Sequence, residues 1–151
     1  MSAEVGSPVG GLAAPLSEVP DPVFSQAMVG PGVAVKPSGG RATAVAPVAG
    51  SVATLHPHAF VISAGGGVAV LVHLGIDTVK LQGEGFEVHV SQGDQVEAGQ
   101  PITTWDPSAV EGHGYSAMCP VVALDAPGDG LSDLREDGQV GTGDVLFAVG
   151  G

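Results

Sequence analysis

Ala59-Phe60-Val61-Ile62-Ser63-Ala64-Gly65-Gly66-Gly67-Val68-Ala69-Val70-Leu71-Val72-His73-Leu74 decides the fold class. Two apolar runs rich in Val and Ile flank a cluster of glycines, which is the composition of a β-hairpin. With Ser63 opposite Val68 across a four-residue loop, Phe60 faces Leu71 and His58 faces His73. Directly opposed residues share one face of a sheet, with Cβ atoms about 4.5–5.5 Å apart. The hairpin therefore predicts two imidazoles side by side at its open end. A slip of one residue in that register would separate them.

The rest of the chain reads the same way. It carries 25 glycines and 12 prolines in 151 residues, and no stretch free of both exceeds seven residues. Globular helices average about 11–12 residues, so helix is nearly excluded as a dominant element. Val33–Val35, Ala59–Ser63, Val68–Leu74, Phe86–Val90, Ile102–Trp105, Val121–Leu124 and Val145–Val149 read as strands. Val23–Met28 and Pro107–Val110 each have room for one helical turn. Pro8-Val9-Gly10-Gly11, Pro47-Val48-Ala49-Gly50 and Pro120-Val121-Val122 share a Pro-Val start. Gln95-Val96-Glu97-Ala98-Gly99-Gln100-Pro101-Ile102 returns as Gln139-Val140-Gly141-Thr142-Gly143-Asp144-Val145-Leu146. Each copy reads as a strand, a turn that needs the positive φ of glycine, and a second strand. The fold class predicted is all-β: an antiparallel sandwich or barrel with duplicated topology and helices of one turn at most. Residues 7–151 are expected to form a single domain, with 1–6 a disordered N-terminus.

Composition removes several function classes. The net charge is −12, with only four Lys and Arg. Binding nucleic acid requires clustered cations that displace counterions from phosphates, so that class is set aside. An anionic membrane surface is disfavoured on the same ground. One cysteine, Cys119, excludes a disulfide framework and fits a reducing compartment. Its apolar neighbours make it a small core residue. No signal peptide and no apolar stretch of membrane-spanning length is present, and a cytoplasmic location is expected.

Two adjacent imidazoles allow a definite chemistry. One ring nitrogen can accept a phosphoryl or acyl group. The second ring can donate a hydrogen bond to the anionic oxygens of the transition state. His73 ends an apolar run, and an apolar rim excludes water from a labile phosphoramidate. A carbonyl in the turn Gly75-Ile76-Asp77-Thr78 could fix the tautomer of His73. Asp77 is otherwise a turn-former. His56 reads as a loop residue before Pro57, and His89 and His113 as solvent-exposed. On these residues alone, a metal site at His58 and His73 stays open.

The stretch from His73 to Phe86, beginning His73-Leu74-Gly75-Ile76-Asp77-Thr78, resembles the active-site signature of glucose-family enzyme IIA of the phosphoenolpyruvate-dependent sugar phosphotransferase system. Val19-Pro20-Asp21-Pro22-Val23-Phe24 and Val29–Pro37 are similar to that family's N-terminal part. His58-Ala59-Phe60 is similar to its first active histidine. The resemblance implies an all-β sandwich of hybrid-motif topology. It implies that His73 takes a phosphoryl group from the carrier HPr and passes it to a cysteine of the IIB domain of a sugar permease. His58 would stabilise the transferring group. Asp77, Gly75 and His56 would support the site, and Val23, Phe24, Val29 and Leu71 would dock both partners. His56 stands where the family commonly has a threonine. Relatives also regulate other transporters and kinases, so regulatory protein partners are implied as a class. The chain ends soon after its last strand and reads as a free-standing monomeric IIA that meets the inner face of the membrane only through the permease. Met1–Gly6 is too short and polar for an amphipathic anchor.

One rival rests on the same residues. His73-Leu74-Gly75-Ile76-Asp77 also looks like the His-x-Gly-x-Asp motif of lysostaphin-type zinc endopeptidases. Those need a further His-x-His downstream. Only His89 and His113 follow Asp77, and neither has a histidine two positions away. No metal or cofactor is therefore expected.

Overall fold

The computed structural model describes residues 2–38, 40–124, 126 and 130–150. Its strands in chain order begin with β1 (Ser2–Gly6), β2 (Gly11–Pro15), β3 (Gly32–Pro37), β4 (Ala42–Val45), β5 (Gly50–His56), β6 (Ala59–Gly65) and β7 (Val68–His73). They continue with β8 (Glu87–Val88), β9 (Gln95–Val96), β10 (Pro101–Trp105), β11 (Cys119–Ala123), β12 (Leu131–Ser132), β13 (Gln139–Val140) and β14 (Val145–Gly150). Two short helices, α1 (Pro22–Ser25) and α2 (Pro107–Gly112), follow β2 and β10, and single 3₁₀ turns lie at Leu16–Glu18 and Thr78–Leu81. Both helices start on Asp-Pro. Asp21 and Asp106 cap the first backbone N–H groups, and the proline occupies the first helical position, where no N–H is needed. The all-β, antiparallel expectation holds.

The strands pair in a symmetric plan. The eight-stranded sheet runs β13-β2-β3-β11-β7-β6-β5-β9, and two three-stranded sheets run β1-β14-β12 and β4-β10-β8. Each order maps onto itself or onto the other when β4–β10 replaces β1–β3 plus β11–β14. The unit β4–β10 is thus one copy, and it is inserted in the chain between β3 and β11 of the other.

Matching hydrogen bonds support the duplication. Gly99 N–H donates to the Ala46 carbonyl and Gly143 N–H to that of Ser7, at 2.9 and 2.8 Å. Gly6 N–H donates to the Pro47 carbonyl and Val45 N–H to that of Pro8, at 2.9 and 3.0 Å. The two Pro-Val-x-Gly segments therefore clasp each other across the pseudo-twofold. Gly11 and Gly50 are equivalent by necessity, since a Cβ on either would lie 2.0 Å from a carbonyl oxygen of the neighbouring strand. Pro120 is different: it lies within β11, so the third Pro-Val is not part of the repeat.

Alternation along the strands builds two apolar layers. Val33, Val35, Phe60, Ile62, Val70, Val72 and Val121 point inward and are fully buried in the main core. Each such side chain contributes roughly 1.5–3 kcal/mol by burial. Ala34 and Val122 lie on the other face. There Leu16, Val19 and Phe24, from the segment between β2 and β3, cover them together with part of Leu71.

Two expectations are corrected. Ser2–Gly6 is not a disordered end. It forms β1, pairs with β14, and buries Val5 completely; Met1 lies outside the described residues. The hairpin register is also shifted by one. Ala59, not His58, is opposite His73, and Phe60 is opposite Val72. A bulge at Ala64 lets Gly65 pair with Val68, so the loop is the pair Gly66-Gly67, with both φ values positive. The predicted four-residue loop had counted residues that the strands retain.

Candidate active site

The two imidazoles meet despite the corrected register. β6 pairs with β7 only as far as Ala59 and His73. Pro57 and His58 form the turn that joins β5 to β6, so the pleat no longer dictates where His58 points. The Leu74 N–H donates to the His58 carbonyl at 2.7 Å and ties this turn to the end of β7. The rings of His58 and His73 then stand edge to face, with centroids 5.2 Å apart and planes at 66°.

His73 is fixed from three sides. Its Nδ1 makes a short hydrogen bond with the Gly75 carbonyl. A carbonyl only accepts, so Nδ1 carries the proton and the lone pair is left on Nε2. Phe24 packs against the ring at a centroid distance of 5.4 Å. The loop that presents the Gly75 carbonyl is itself held: the Thr78 hydroxyl, fully buried, donates to the Leu74 carbonyl at 2.8 Å, and Ile76 N–H donates to the Ser116 carbonyl at 2.9 Å. Gly75 has φ of +81°, and a Cβ there would lie 2.9 Å from the Ser116 oxygen and 2.7 Å from Thr78 Cγ2. Only glycine fits. Asp77 follows in the left-handed region at φ 63°.

Electrostatics keep both rings neutral. Burial pushes His73 below the ordinary histidine value, against the opposing pull of the Gly75 carbonyl, Asp21 and Asp77. His58 is lowered from 6.5 to about 4, first by burial, then by the charges that His73 and His56 would carry. A neutral imidazole keeps the lone pair that a nucleophile needs. Cys119, by contrast, is fully buried and its thiol is pushed up to about 12 by burial, so it stays a core thiol.

The other residues singled out from sequence separate into groups. His56 ends β5 rather than lying in a loop, and its ring stacks on His58 at 5.6 Å and 24°. Val23 is exposed, Val29 and Leu71 are half-buried, and Phe24 is 8 % exposed, so Phe24 packs mainly beneath the surface. His89 and His113 are exposed and lie outside the cluster. Sequence reasoning missed Asp21, whose charge acts on His73 while it caps α1 through the Val23 N–H at 2.9 Å. The Asp-Pro start of a helix was the available signal. It also missed Thr78. Met28 and Val79, 68 % and 57 % exposed, add apolar surface on the segments that carry Val23 and Asp77. Among the described residues, no group of three or more His, Cys, Asp or Glu gathers as a metal cluster.

The fold and site define a duplicated, antiparallel β protein that presents a paired-histidine centre at the open end of one hairpin. Residues 3–127 match the family described as phosphoenolpyruvate-dependent sugar phosphotransferase system, EIIA 1, and the chain belongs to that family. It is 44 % identical over 125 residues to a glucose-specific EIIBCA component from Corynebacterium glutamicum, covering 82 % of this chain and 18 % of that protein. It is 37 % identical over 147 residues to a β-glucoside-specific EIIBCA component from Bacillus subtilis, covering 96 % of this chain and 24 % of the relative. The chain thus spans less than a quarter of the length of these relatives. The solved glucose permease IIA from Mycoplasma capricolum superposes with a TM-score of 0.90 at 36 % identity, covering 98 % of this chain and 96 % of that one. The chain is accordingly a sugar phosphotransferase component of the EIIA type. Among the described residues, no helix is long and apolar enough to cross a membrane.

Proposed function

We propose that this chain is a phosphoryl relay, with Nε2 of His73 as the acceptor. The donor is phospho-HPr and the recipient is the cysteine of a IIB domain, either joined to this chain or on another polypeptide. In the first step the Nε2 lone pair attacks phosphorus, and the P–N bond of the donor phosphohistidine breaks, returning the lone pair to the donor ring. In the second, the IIB thiolate attacks the same phosphorus, and the P–N bond to His73 breaks. His58 donates its ring N–H to a phosphoryl oxygen chiefly in the second step, transfer to IIB. Gly75 holds the tautomer, and Asp77 shares with Asp21 the task of favouring the cationic ring as it develops. Val23, Val29, Leu71, Met28 and Val79 offer an apolar rim to which the two partners dock in turn at the cytoplasmic side of the membrane.

The observation that carries this reading is the hydrogen bond of His73 Nδ1 to the Gly75 carbonyl. It leaves one nucleophilic nitrogen beside a second neutral imidazole. The test is passage of labelled phosphate from phosphoenolpyruvate through enzyme I and HPr. Label is expected on Nε2 of His73 and absent from His73→Ala. Label persisting on a histidine of that variant would refute the assignment.

A further inference from the structure

His58 is weakly anchored for a residue that must aim a hydrogen bond. It sits in a turn beyond the paired part of β5 and β6, and among the described residues its ring makes no hydrogen bond. Two other imidazoles lie against it: His73 edge-on at 5.2 Å, and His56 stacked at 5.6 Å with planes 24° apart. His56 stands on firmer ground. It ends β5 and pairs with Ala59 in the ladder of β5 and β6, two residues before the ring it supports. Pro57 between them restricts His56 to extended backbone and has a fixed φ of its own. The turn is therefore short and stiff enough to hold the two rings in register.

We infer that His56 is a positioning residue, whose stacked ring holds His58 edge-on to His73 and so sets the efficiency of phosphoryl transfer out of the site. A parallel stack leaves the ring nitrogens of His58 free in its own plane, so the N–H stays available for the phosphoryl oxygens. A hydroxyl hydrogen-bonded to His58 would instead occupy one of those nitrogens. Any charge on His56 also disfavours charge on His58, which keeps His58 a neutral donor.

This inference rests on the phosphoryl-relay reading for its kinetic arm, but not for its spectroscopic one. Three variants test it: His56→Ala, His56→Phe and His56→Thr. Phosphoryl acceptance from phospho-HPr is expected to change less than about 2-fold in all three. Transfer from phosphorylated chain to IIB is expected to fall about 5–20-fold in His56→Ala. His56→Phe, which keeps a stacked ring, restores most of it; His56→Thr does not. Histidine-ring NMR of the unphosphorylated chain gives the independent reading. In His56→Ala the His58 ring resonances should shift and broaden, and its titration midpoint should rise while staying below the ordinary value, because burial is the larger cause. If His56→Ala matches the parent in both transfer and ring spectrum, or if His56→Phe fails to rescue, the positioning role is overturned. If the parent chain takes no label while the His58 ring responds as described, the relay reading fails and the stacking role stands.

Discussion

The two copies of the repeat share a frame and differ at one corner. In the inserted copy, β5 and β6 are joined by the two-residue turn Pro57-His58. In the flanking copy, the equivalent strands β2 and β3 are joined by the segment 16–31, which holds a 3₁₀ turn and α1. The hydrogen bond from Leu74 N–H to the His58 carbonyl has its counterpart from Ala123 N–H to the Pro31 carbonyl, at 2.7 and 2.9 Å. His73, opposite Ala59, corresponds to Val122, opposite Gly32. Where one copy places two imidazoles, the other places a proline and a buried valine. The long connection of the flanking copy then supplies Phe24 and the charge of Asp21 to His73 of the inserted one. Duplication provided the scaffold, and divergence at its joining loops provided a site that neither copy forms alone.

The sharpest way to break this comparison is to remove the proposed acceptor. His73→Ala should lower phosphoryl acceptance by roughly 10³-fold or more, measured as label incorporated from phospho-HPr. A normal rate would mean that the inserted copy does not carry the chemistry. His58→Gln should still accept phosphate, while its transfer to IIB falls about 10²-fold. Equal losses in both half-reactions would deny the division of labour between the rings.

Glycine positions separate site from frame. Gly75→Ala forces a left-handed alanine against the Ser116 carbonyl. It should cost about 1–3 kcal/mol in urea unfolding and slow acceptance by freeing the His73 tautomer. Gly66→Ala, at an open loop with nothing near its Cβ but with φ of +61°, should carry only the left-handed backbone cost of about 1–2 kcal/mol and leave transfer unchanged.

Acid should weaken the fold through the inserted copy. Folded His58 has its pKa lowered to about 4 from 6.5. The unfolded chain then binds protons that the folded chain refuses, so stability is full above about pH 6.5 and falls as pH drops towards 4. His73 is lowered as well and adds in the same direction. Melting temperatures from pH 7.5 to 4.5 should show the decline, and His58→Gln should flatten it. An unchanged slope would place the titrating groups elsewhere.

The smallest effect probes the frame itself. Gln100 accepts from Glu97 N–H and Asp144 from Gly141 N–H, at 3.1 and 2.7 Å, in matching turns of the two copies. Gln100→Ala and Asp144→Ala should each cost about 0.5–1.5 kcal/mol, with no change in transfer. A large difference between them would show that the repeats are not energetically equivalent.

Much of this was legible in the sequence. The interruption of every segment by Gly or Pro excludes long helices, and the Gln-Val-x-x-Gly repeat marks the paired turns that recur at Gly99 and Gly143. His73 at the end of an apolar strand, followed by Gly75, showed that a carbonyl of that turn could fix the ring, as the Gly75 carbonyl does. The hairpin register was not legible, because a bulge at Ala64 is indifferent to hydrophobic pattern when glycines and alanines surround it. The strand Ser2–Gly6 was missed for a related reason: five residues with one buried valine carry little periodic signal, and their partner β14 is remote in sequence.

By itself the sequence determined an all-β chain, two related halves, and a histidine at the end of an apolar strand, because turn chemistry and apolar alternation act over a few residues. Tertiary structure decided how the halves nest. It also brought His58 to His73 from beyond the paired strands, set Phe24 and the charge of Asp21 of one copy by His73 of the other, and laid His56 on His58. Those contacts depend on a tight turn whose direction the pleat does not control and on a pseudo-twofold that joins residues tens of positions apart.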